Sequence, residues 1–190
     1  MSITITENKT FEKSNFPETS LQKGEYENCQ FKECDFSNAH LSNYVFVDCE
    51  FIDCNLSLTK FSNTALKTVN FKNCKVLGLN FAECNDFLFA VNFEDCLLNL
   101  SMFYNKKLKA TKFKNCSLHE VDFTETDLTN ATFDNCDLMG AIFRNSILEK
   151  ADLRTAFHFS IDPEANRMKK AKFSRMGLDG LLHKYGIDVT

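Results

Sequence analysis

The chain has 190 residues, 44% hydrophobic content and a formal net charge of −4, which together predict one domain with a substantial core. No apolar run is long enough to span a bilayer, and the first residues lack the pattern of a signal peptide. We therefore expect a cytoplasmic protein that contacts neither membrane nor nucleic acid. The nine cysteines, an odd number, indicate reduced thiols rather than disulfides.

A large apolar residue, most often Phe or Leu, recurs at every fifth position. The first series is Phe11, Phe16, Leu21, Tyr26, Phe31, Phe36, Leu41, Phe46, Phe51, Leu56, Phe61, Leu66, Phe71, Val76 and Phe81. A shift of two residues, which we place within residues 82–90, separates it from the second series. That series is Leu88, Phe93, Leu98, Phe103, Leu108, Phe113, Leu118, Phe123, Leu128, Phe133, Leu138, Phe143, Leu148 and Leu153. A period of five matches neither an α-helix nor a flat strand.

A second restricted position lies two residues before each large one, and it holds mostly small residues such as Cys, Ala, Ser and Thr. The other three positions of each unit carry most of the charged residues and Asn. Each five-residue unit therefore has two inward and three outward side chains. A unit of this kind cannot bury its apolar face alone, so the pattern predicts a solenoid whose units stack on one another.

The units resemble the A-(D/N)-L-x-x consensus of the pentapeptide-repeat family, as in Ala-Asp-Leu at residues 151–153 and Cys-Asp-Phe at residues 34–36. The resemblance covers about residues 9–155. It implies an all-β solenoid, a right-handed quadrilateral β-helix with four units in each coil. Because stacked strands lie about 4.8 Å apart, about seven coils would form a rod about 35 Å long.

Residues twenty apart are then expected to stack in columns. Two opposite columns are largely Phe and the two between them lean to Leu, which would fill a square core. Leu88 is expected to point inward in one Leu column. Lys106 and Tyr44 are misfits in the small position. For Lys106, either the stem crosses the wall so that the ammonium reaches water, or the coil is deformed.

All nine cysteines occupy the small position, and six share one column: Cys34, Cys54, Cys74, Cys96, Cys116 and Cys136. They could form a thiol ladder for metal or redox chemistry, or serve as small hydrophobic residues of the wall. We favour the wall, because metal ligands must converge on one point and a ladder spreads them along a line. We expect no metal and no cofactor.

The period ends at Leu153, so we expect a solenoid domain over residues 1–155 and a separate segment over residues 156–190. Residues 156–173 are predicted to be an irregular connection. Ser174 is then expected to cap a helix that Gly186 ends, with a short strand at residues 187–189. The segment is expected to cover the open last coil, to form a dimer contact, or to do both. The candidate dimer residues are Leu178, Leu181, Leu182, Tyr185, Ile187 and Val189.

The tail Gly-Leu-Leu-x-x-Tyr-Gly-Ile resembles that of the Qnr quinolone-resistance proteins, and residues 161–167 are similar to a stretch in the microcin-immunity proteins. This resemblance implies a homodimer joined through the C-terminal segments. It also implies a DNA-mimic-like rod that binds DNA gyrase or topoisomerase IV and protects it from quinolones or toxins. The chain departs from the Qnr proteins in having only a two-residue shift where they carry projecting loops.

Charges are distributed unevenly along the chain. Residues 104–115 hold five Lys and no acid, whereas residues 117–143 hold six acids and no Lys or Arg. The candidate partner-binding acids are Glu120, Asp122, Glu125, Asp127, Asp134 and Asp137. About 35 Å of B-DNA carries about twenty negative charges. The net charge of the chain is only −4, so the chain as a whole is a weak mimic of DNA. A solvated surface with chance charge blocks is the alternative.

A second candidate surface is an outward apolar stripe on the face of the cysteine column: Leu58, Leu77, Leu97, Leu100 and Met139. The stripe either binds a protein or is covered by a terminal segment. The four histidines are scattered and no nucleophile–base motif is present, so we do not expect an enzyme. Two functions stay open: a rod that binds a type II topoisomerase, and a general protein-interaction scaffold.

Overall fold

A computed structural model describes residues 4–187, which form a right-handed quadrilateral β-helix of about eight coils. The strands are β1 (Ile5–Glu7), β2 (Thr10–Glu12), β3 (Glu25–Glu27), β4 (Gln30–Lys32), β5 (Val45–Val47), β6 (Glu50–Ile52), β7 (Ala65–Lys67), β8 (Val69–Lys72), β9 (Val91–Glu94), β10 (Lys112–Lys114), β11 (Thr132–Asp134), β12 (Asp152–Leu153) and β13 (Lys172–Phe173). The short helices are α1 (Phe16–Thr19) and 3-10 turns at Phe81–Glu83, Arg175–Leu181 and His183–Tyr185. All the strand pairs are parallel, as stacking of successive coils requires.

Each coil has four faces, which we number in chain order. Face 1 is a nine-stranded sheet that runs from β2 to β13 through β4, β6, β8, β9, β10, β11 and β12. Faces 2 and 3 are held by isolated bridges, for example Leu97 with Ser117 on face 2 and Met102 with Asp122 on face 3. Face 4 begins as the sheet β1-β3-β5-β7 and continues as bridges. Partners are twenty residues apart in these examples, which confirms the predicted columns.

The chain turns its corners at residues with left-handed backbone, and Asn is the residue most often found there. Asn, Asp and Gly are favoured because they adopt positive φ at the lowest cost. Leu occupies three such positions, Leu58 (φ 58°), Leu88 (φ 58°) and Leu100 (φ 64°). A bulky side chain is unfavourable in this conformation, so backbone geometry does not account for these three leucines.

Stacked Phe rings fill the core. Along face 1, Phe113 lies 5.4 Å from Phe93 and 5.0 Å from Phe133, centroid to centroid, with ring planes within 8°. Across the core Phe113 meets Phe103 edge to face at 6.2 Å. Both arrangements are favourable for aromatic pairs, and all four rings are fully buried or nearly so. The distance between stacked rings therefore agrees with the distance between parallel strands of successive coils.

Small residues form the wall between the columns, and each described cysteine is free and buried, which confirms the wall prediction. In six of them the S–H group lies beside a backbone carbonyl of the preceding coil. The Cys54 Sγ is 3.2 Å from the Phe31 carbonyl oxygen, as the Thr126 hydroxyl is 2.8 Å from that of Phe103. The position thus selects a small residue that is also a weak donor. Burial raises the pKa of Cys49 and of Cys84 to about 12, so both thiols are protonated at neutral pH.

The two-residue insertion lies within residues 82–90, as predicted. The register changes from twenty to twenty-two between β8 and β9, where Val69 pairs with Val91. The prediction for Leu88 is wrong: its side chain is 64% exposed, and Phe89 takes the inward place. The chain bulges outward at residues 85–88 before it returns to the wall, so the extra residues displace the inward position by one.

Lys106 stabilises this bulge by contacts made from inside the wall. Its ammonium is hydrogen-bonded to the Cys84 carbonyl oxygen, lies 2.6 Å from the Asp86 carboxylate and stands 5.2 Å from the Phe89 ring centroid. The side chain is only 3% exposed, so of the two predicted alternatives the ammonium that reaches water is excluded, and the neighbouring coil is deformed around it. Tyr44, the other misfit, is buried and donates its hydroxyl to the Leu21 carbonyl oxygen at 2.5 Å.

Residues 156–173 form another coil, so the expectation of an irregular connection is wrong. Strand β13 pairs with β12, and Arg167 bridges to Ile147 twenty residues earlier. Phe159 and Ile161 are buried and extend the core, although they do not keep the five-residue spacing. This loss of spacing hid the coil in the sequence. The predicted domain division at residue 155 remains a prediction.

The C-terminal cap is present as 3-10 turns rather than as the expected α-helix. Ser174 precedes the first turn with extended backbone, but its side chain makes no capping hydrogen bond. Gly180 fits closely against Phe159, and its carbonyl accepts a hydrogen bond from the Ile161 amide at 2.9 Å. Gly186 ends the segment with φ 59°, as expected. The predicted strand falls mostly on residues outside those described.

Replacement of Phe113 by Ala is predicted to lower the free energy of unfolding by about 3–5 kcal/mol, because a buried large-to-small change leaves a cavity in the stack. Replacement of Lys114, which is exposed in the same strand and paired with Glu94 at 2.6 Å, should change stability by less than about 1 kcal/mol. Urea unfolding of both variants measures the difference. Equal losses would contradict the register.

The thiols are predicted to be unreactive in the folded protein. An aromatic disulfide reagent at neutral pH should modify none of the nine cysteines without denaturant and all nine after unfolding, because every one of them is buried and inaccessible to the reagent. Rapid modification of any one thiol under native conditions would show that the wall opens there.

Candidate protein-interaction surface

Exposed apolar side chains gather where face 2 turns into face 3. We call this region the corner surface: Leu58, Leu77, Leu97, Leu100, Met102, Met139, Ile142 and Phe157. All except the half-buried Leu77 are exposed by 39% or more. The five stripe residues predicted from the sequence belong to it. Among residues 4–187 no terminal segment covers them, so the apolar side chains face solvent.

Three members of the corner surface were missed in the sequence. Met102 and Ile142 precede the inward residues of face 3, and Phe157 lies on the coil that was expected to be irregular. The five-residue pattern does contain the information for Met102 and Ile142. Residues 100 and 102, for example, flank the inward Ser101, so their side chains must emerge next to each other at the turn. This information is absent for Phe157, since the five-residue period had already ended.

Two corner leucines are held in an unfavourable backbone conformation. Leu58 and Leu100 have φ of 58° and 64° and are 51% and 58% exposed. Asn, the commonest residue at such turns, would relieve the backbone and present a polar side chain. Neither local backbone preference nor core packing favours Leu here. Unfavourable positions of this kind are found at functional sites, where another requirement fixes the residue.

Gly78 and Gly140 shape the surface next to Leu58 and Glu120. A Cβ on Gly78 would lie 2.9 Å from the Leu58 Cδ2, and one on Gly140 would lie 3.1 Å from the Glu120 Cγ. Both glycines have positive φ and occupy the same corner column as Leu100. Their missing side chains let Leu58 and Glu120 lie along the rod instead of projecting from it.

The six predicted acids do not form one patch. Glu120 and Asp122 lie among the apolar side chains of the corner surface, one coil beyond Leu100 and Met102. Glu125 lies at the far edge of face 3, where hydrogen bonding to it raises the pKa of the exposed Tyr104. The other three acids lie on other ladders. The acidic stretch therefore wraps around the rod, and only Glu120, Asp122 and Asp137 lie on ladders that carry apolar side chains of the corner surface.

Asp127 and Asp134 are on faces 4 and 1 and are engaged locally. Asp127 is 3.2 Å from the Lys109 ammonium; burial opposes its ionisation, but hydrogen bonds from Thr129 and Lys109 outweigh burial and hold its pKa below the ordinary value. Asp134 accepts a hydrogen bond from the Thr155 hydroxyl at 2.9 Å. Their charges are directed away from the corner surface.

Asp137, on face 2, joins two histidines that seemed unrelated in the sequence. One carboxylate oxygen is 2.9 Å from the His119 ring nitrogen and the other is 2.9 Å from that of His158. Burial opposes ionisation of Asp137, but hydrogen bonding with both rings outweighs it and lowers the pKa. Asp137 lies with Ser117 between Leu97 and Phe157 in the face 2 ladder, so this polar cluster interrupts the exposed apolar side chains of that face. Within residues 4–187 no group of three or more His, Cys, Asp or Glu side chains is arranged to hold a metal ion.

The predicted dimer residues are only partly free. Leu178, Tyr185 and Ile187 are exposed, whereas Leu181 packs partly against the core. Leu182 is half-buried. Val189 lies outside the described residues. None of the described helices is both long and apolar enough to cross a membrane.

Comparisons with known proteins agree with this architecture. The family described as pentapeptide repeat region matches residues 24–86, 45–123 and 87–181. No curated protein matches the sequence. The structure of HetL, a pentapeptide repeat protein involved in heterocyst differentiation regulation from the cyanobacterium Nostoc sp. strain PCC 7120, has a TM-score of 0.57, is 13% identical and covers 90% of this chain and 86% of its own. A trypsin-treated form of QnrB1, a plasmid-mediated fluoroquinolone resistance protein, matches with a TM-score of 0.48 and 19% sequence identity. The match covers 95% of this chain and 98% of the QnrB1 chain. The HetL likeness shows the fold alone.

Replacement of Leu100 by Asn is predicted to raise the free energy of unfolding by about 1 kcal/mol, because Asn relieves the left-handed backbone. Replacement of Leu97 by Asn, on the same surface but without positive φ, is the control and should give no gain. Urea unfolding of the two variants measures the difference. A Leu100→Asn protein that is less stable than Leu97→Asn would show that the leucine serves the fold.

Proposed function

Because the chain belongs to the pentapeptide-repeat family, we propose that it is a non-enzymatic interaction scaffold that binds a partner protein through the corner surface. One observation carries the proposal: Leu58 and Leu100 are exposed at turns where backbone geometry favours Asn. Solvent exposure and local strain both oppose leucine there. A requirement outside the fold, contact with another protein, accounts for both leucines.

The chemistry of the described titratable groups supports a role in binding rather than in catalysis. The Cys49 and Cys84 thiols are buried and protonated at neutral pH, and the Lys106 ammonium is enclosed by the bulge. His119 and His158 share one carboxylate. These five side chains are thus engaged in the wall, in the bulge or with the Asp137 carboxylate.

A second candidate function is binding of a type II topoisomerase, DNA gyrase or topoisomerase IV, in the cytoplasm, with protection from quinolones or toxins. The observation that favours it is the acidic stretch, of which Glu120 and Glu125 are exposed. In this candidate the rod acts as a DNA-mimic-like homodimer joined through the C-terminal segment. The distribution of the six acids over all four faces limits how much of a DNA-like charge pattern one face presents.

The two candidates predict different sensitivities to substitution. For the scaffold, affinity capture from cells of the source organism should retain a partner with wild-type protein and lose it with Leu58→Asn/Leu100→Asn. Leu88→Asn is the matched control, because Leu88 is also an exposed leucine with left-handed backbone but lies in the bulge. Retention of every partner by the double variant would refute the proposed binding surface.

For the topoisomerase candidate, purified DNA gyrase should bind at low salt and its supercoiling should respond to the protein with and without a quinolone. Reversal of charge at Glu120, Asp122 and Glu125 to Lys should abolish the effect. The same reversal at Glu7, Glu12 and Glu27, which are exposed near the other end of the rod, is the control. Absence of binding at low salt would eliminate this candidate and leave the scaffold intact.

A further inference from the structure

Resting on the proposed function, we propose that the corner surface receives a basic amphipathic α-helix of the partner, laid parallel to the rod axis. The helix presents an apolar residue, a Lys or Arg about one turn later, and a second apolar residue after two turns. This assignment follows from the order of side chains along the corner and from the spacing of the coils.

Apolar and acidic side chains alternate along the axis. In the face 3 ladder, Met102 bridges to Asp122, which bridges to Ile142. Beside this ladder, Leu100 is followed in the corner column by Glu120. An apolar coil is thus followed by an acidic coil and then by another apolar residue, at steps of about 4.8 Å.

The spacing of these steps suits a helix. Two coils span about 9.6 Å, and residues i and i+7 of an α-helix are separated by about 10.5 Å along the axis. Residue i+3 or i+4 falls near the middle, opposite Asp122. An extended strand places same-face side chains about 6.6 Å apart, which brings its second and third contacts out of phase with the coils. The backbone at the corner is already bonded, since the Leu100 amide donates to the His119 carbonyl and the Met102 amide to the Leu79 carbonyl. A strand of a partner therefore finds no free sheet edge to pair with at this corner.

The sign of charge specifies a basic partner. Residues 117–143 carry no Lys or Arg, and Glu120 and Asp122 lie in the middle of the corner. The nearest basic side chains lie on other coils: Lys75 bridges to Leu97 on the face 2 ladder, and Arg144 follows Ile142 by two residues, off the face 3 ladder. A Lys or Arg of the partner therefore meets uncompensated carboxylates only at the position between its two apolar residues.

The test uses fluorescent helical peptides of about 18 residues in an Ala/Gln background. The register peptide carries Leu at i and i+7 and Lys at i+3 and i+4. A permuted peptide has the same composition with Lys and Leu on opposite faces, and a third peptide has Glu in place of Lys. Binding to the full-length protein is measured by fluorescence anisotropy at low and physiological salt.

The register peptide is expected to bind at least about tenfold more tightly than either control peptide. Leu100→Asn and Asp122→Asn should each weaken its binding about tenfold, whereas Leu88→Asn should not change it. The Asp122→Asn protein retains the oxygen that accepts the Thr124 amide, so its turn is preserved. Higher salt should weaken binding to the wild-type protein more than binding to Asp122→Asn.

Equal binding of the register and permuted peptides, or unchanged binding by both corner variants, would overturn the helix assignment. Failure of the register peptide to bind, while Leu58→Asn/Leu100→Asn still loses a captured cellular partner, would also overturn the helix but leave the scaffold function standing. If neither peptide binding nor partner capture depends on the corner, both proposals fail.

Discussion

The stacking of identical side chains at one coil spacing is the constraint on which the structure depends. Parallel strands repeat about every 4.8 Å, and stacked Phe rings such as Phe113 and Phe133 repeat at 5.0 Å. Because the two distances agree, one register satisfies the backbone ladder and the core together. A slip of one residue would turn every large side chain outward, which makes the register strongly specified.

This constraint leaves three of every five side chains free to vary, and they carry whatever the protein recognises. The corners are the informative places, because their backbone conformation has a preference of its own. Leu58, Leu88 and Leu100 depart from that preference, and Leu58 and Leu100 share one corner with further exposed apolar residues. These two leucines cost stability locally and gain nothing in the core, which is the basis on which we propose contact with another molecule at this corner.

The sequence was sufficient for the solenoid, the cysteine wall and the place of the insertion, because each follows from the five-residue period. It failed where a tertiary contact replaced the period. Phe89 points inward because Lys106 holds the bulge, and Phe159 extends the core off the expected spacing. The six acids are close together in sequence, but twenty consecutive residues cover all four faces of one coil. Sequence proximity therefore does not place these acids on one surface. The Asp137 pair of histidines was hidden for the same reason.

The most direct test of the central claim is site-specific photo-crosslinking in cells of the source organism. A photoreactive residue is placed at Leu100 in one protein and at Leu88 in another, since both positions are exposed leucines of equal backbone conformation. We expect a crosslink to a partner protein from position 100, mapped by mass spectrometry to a basic helical segment. We expect no crosslink to that protein from position 88. The same partner crosslinked only from position 88, or from neither position, would contradict the account.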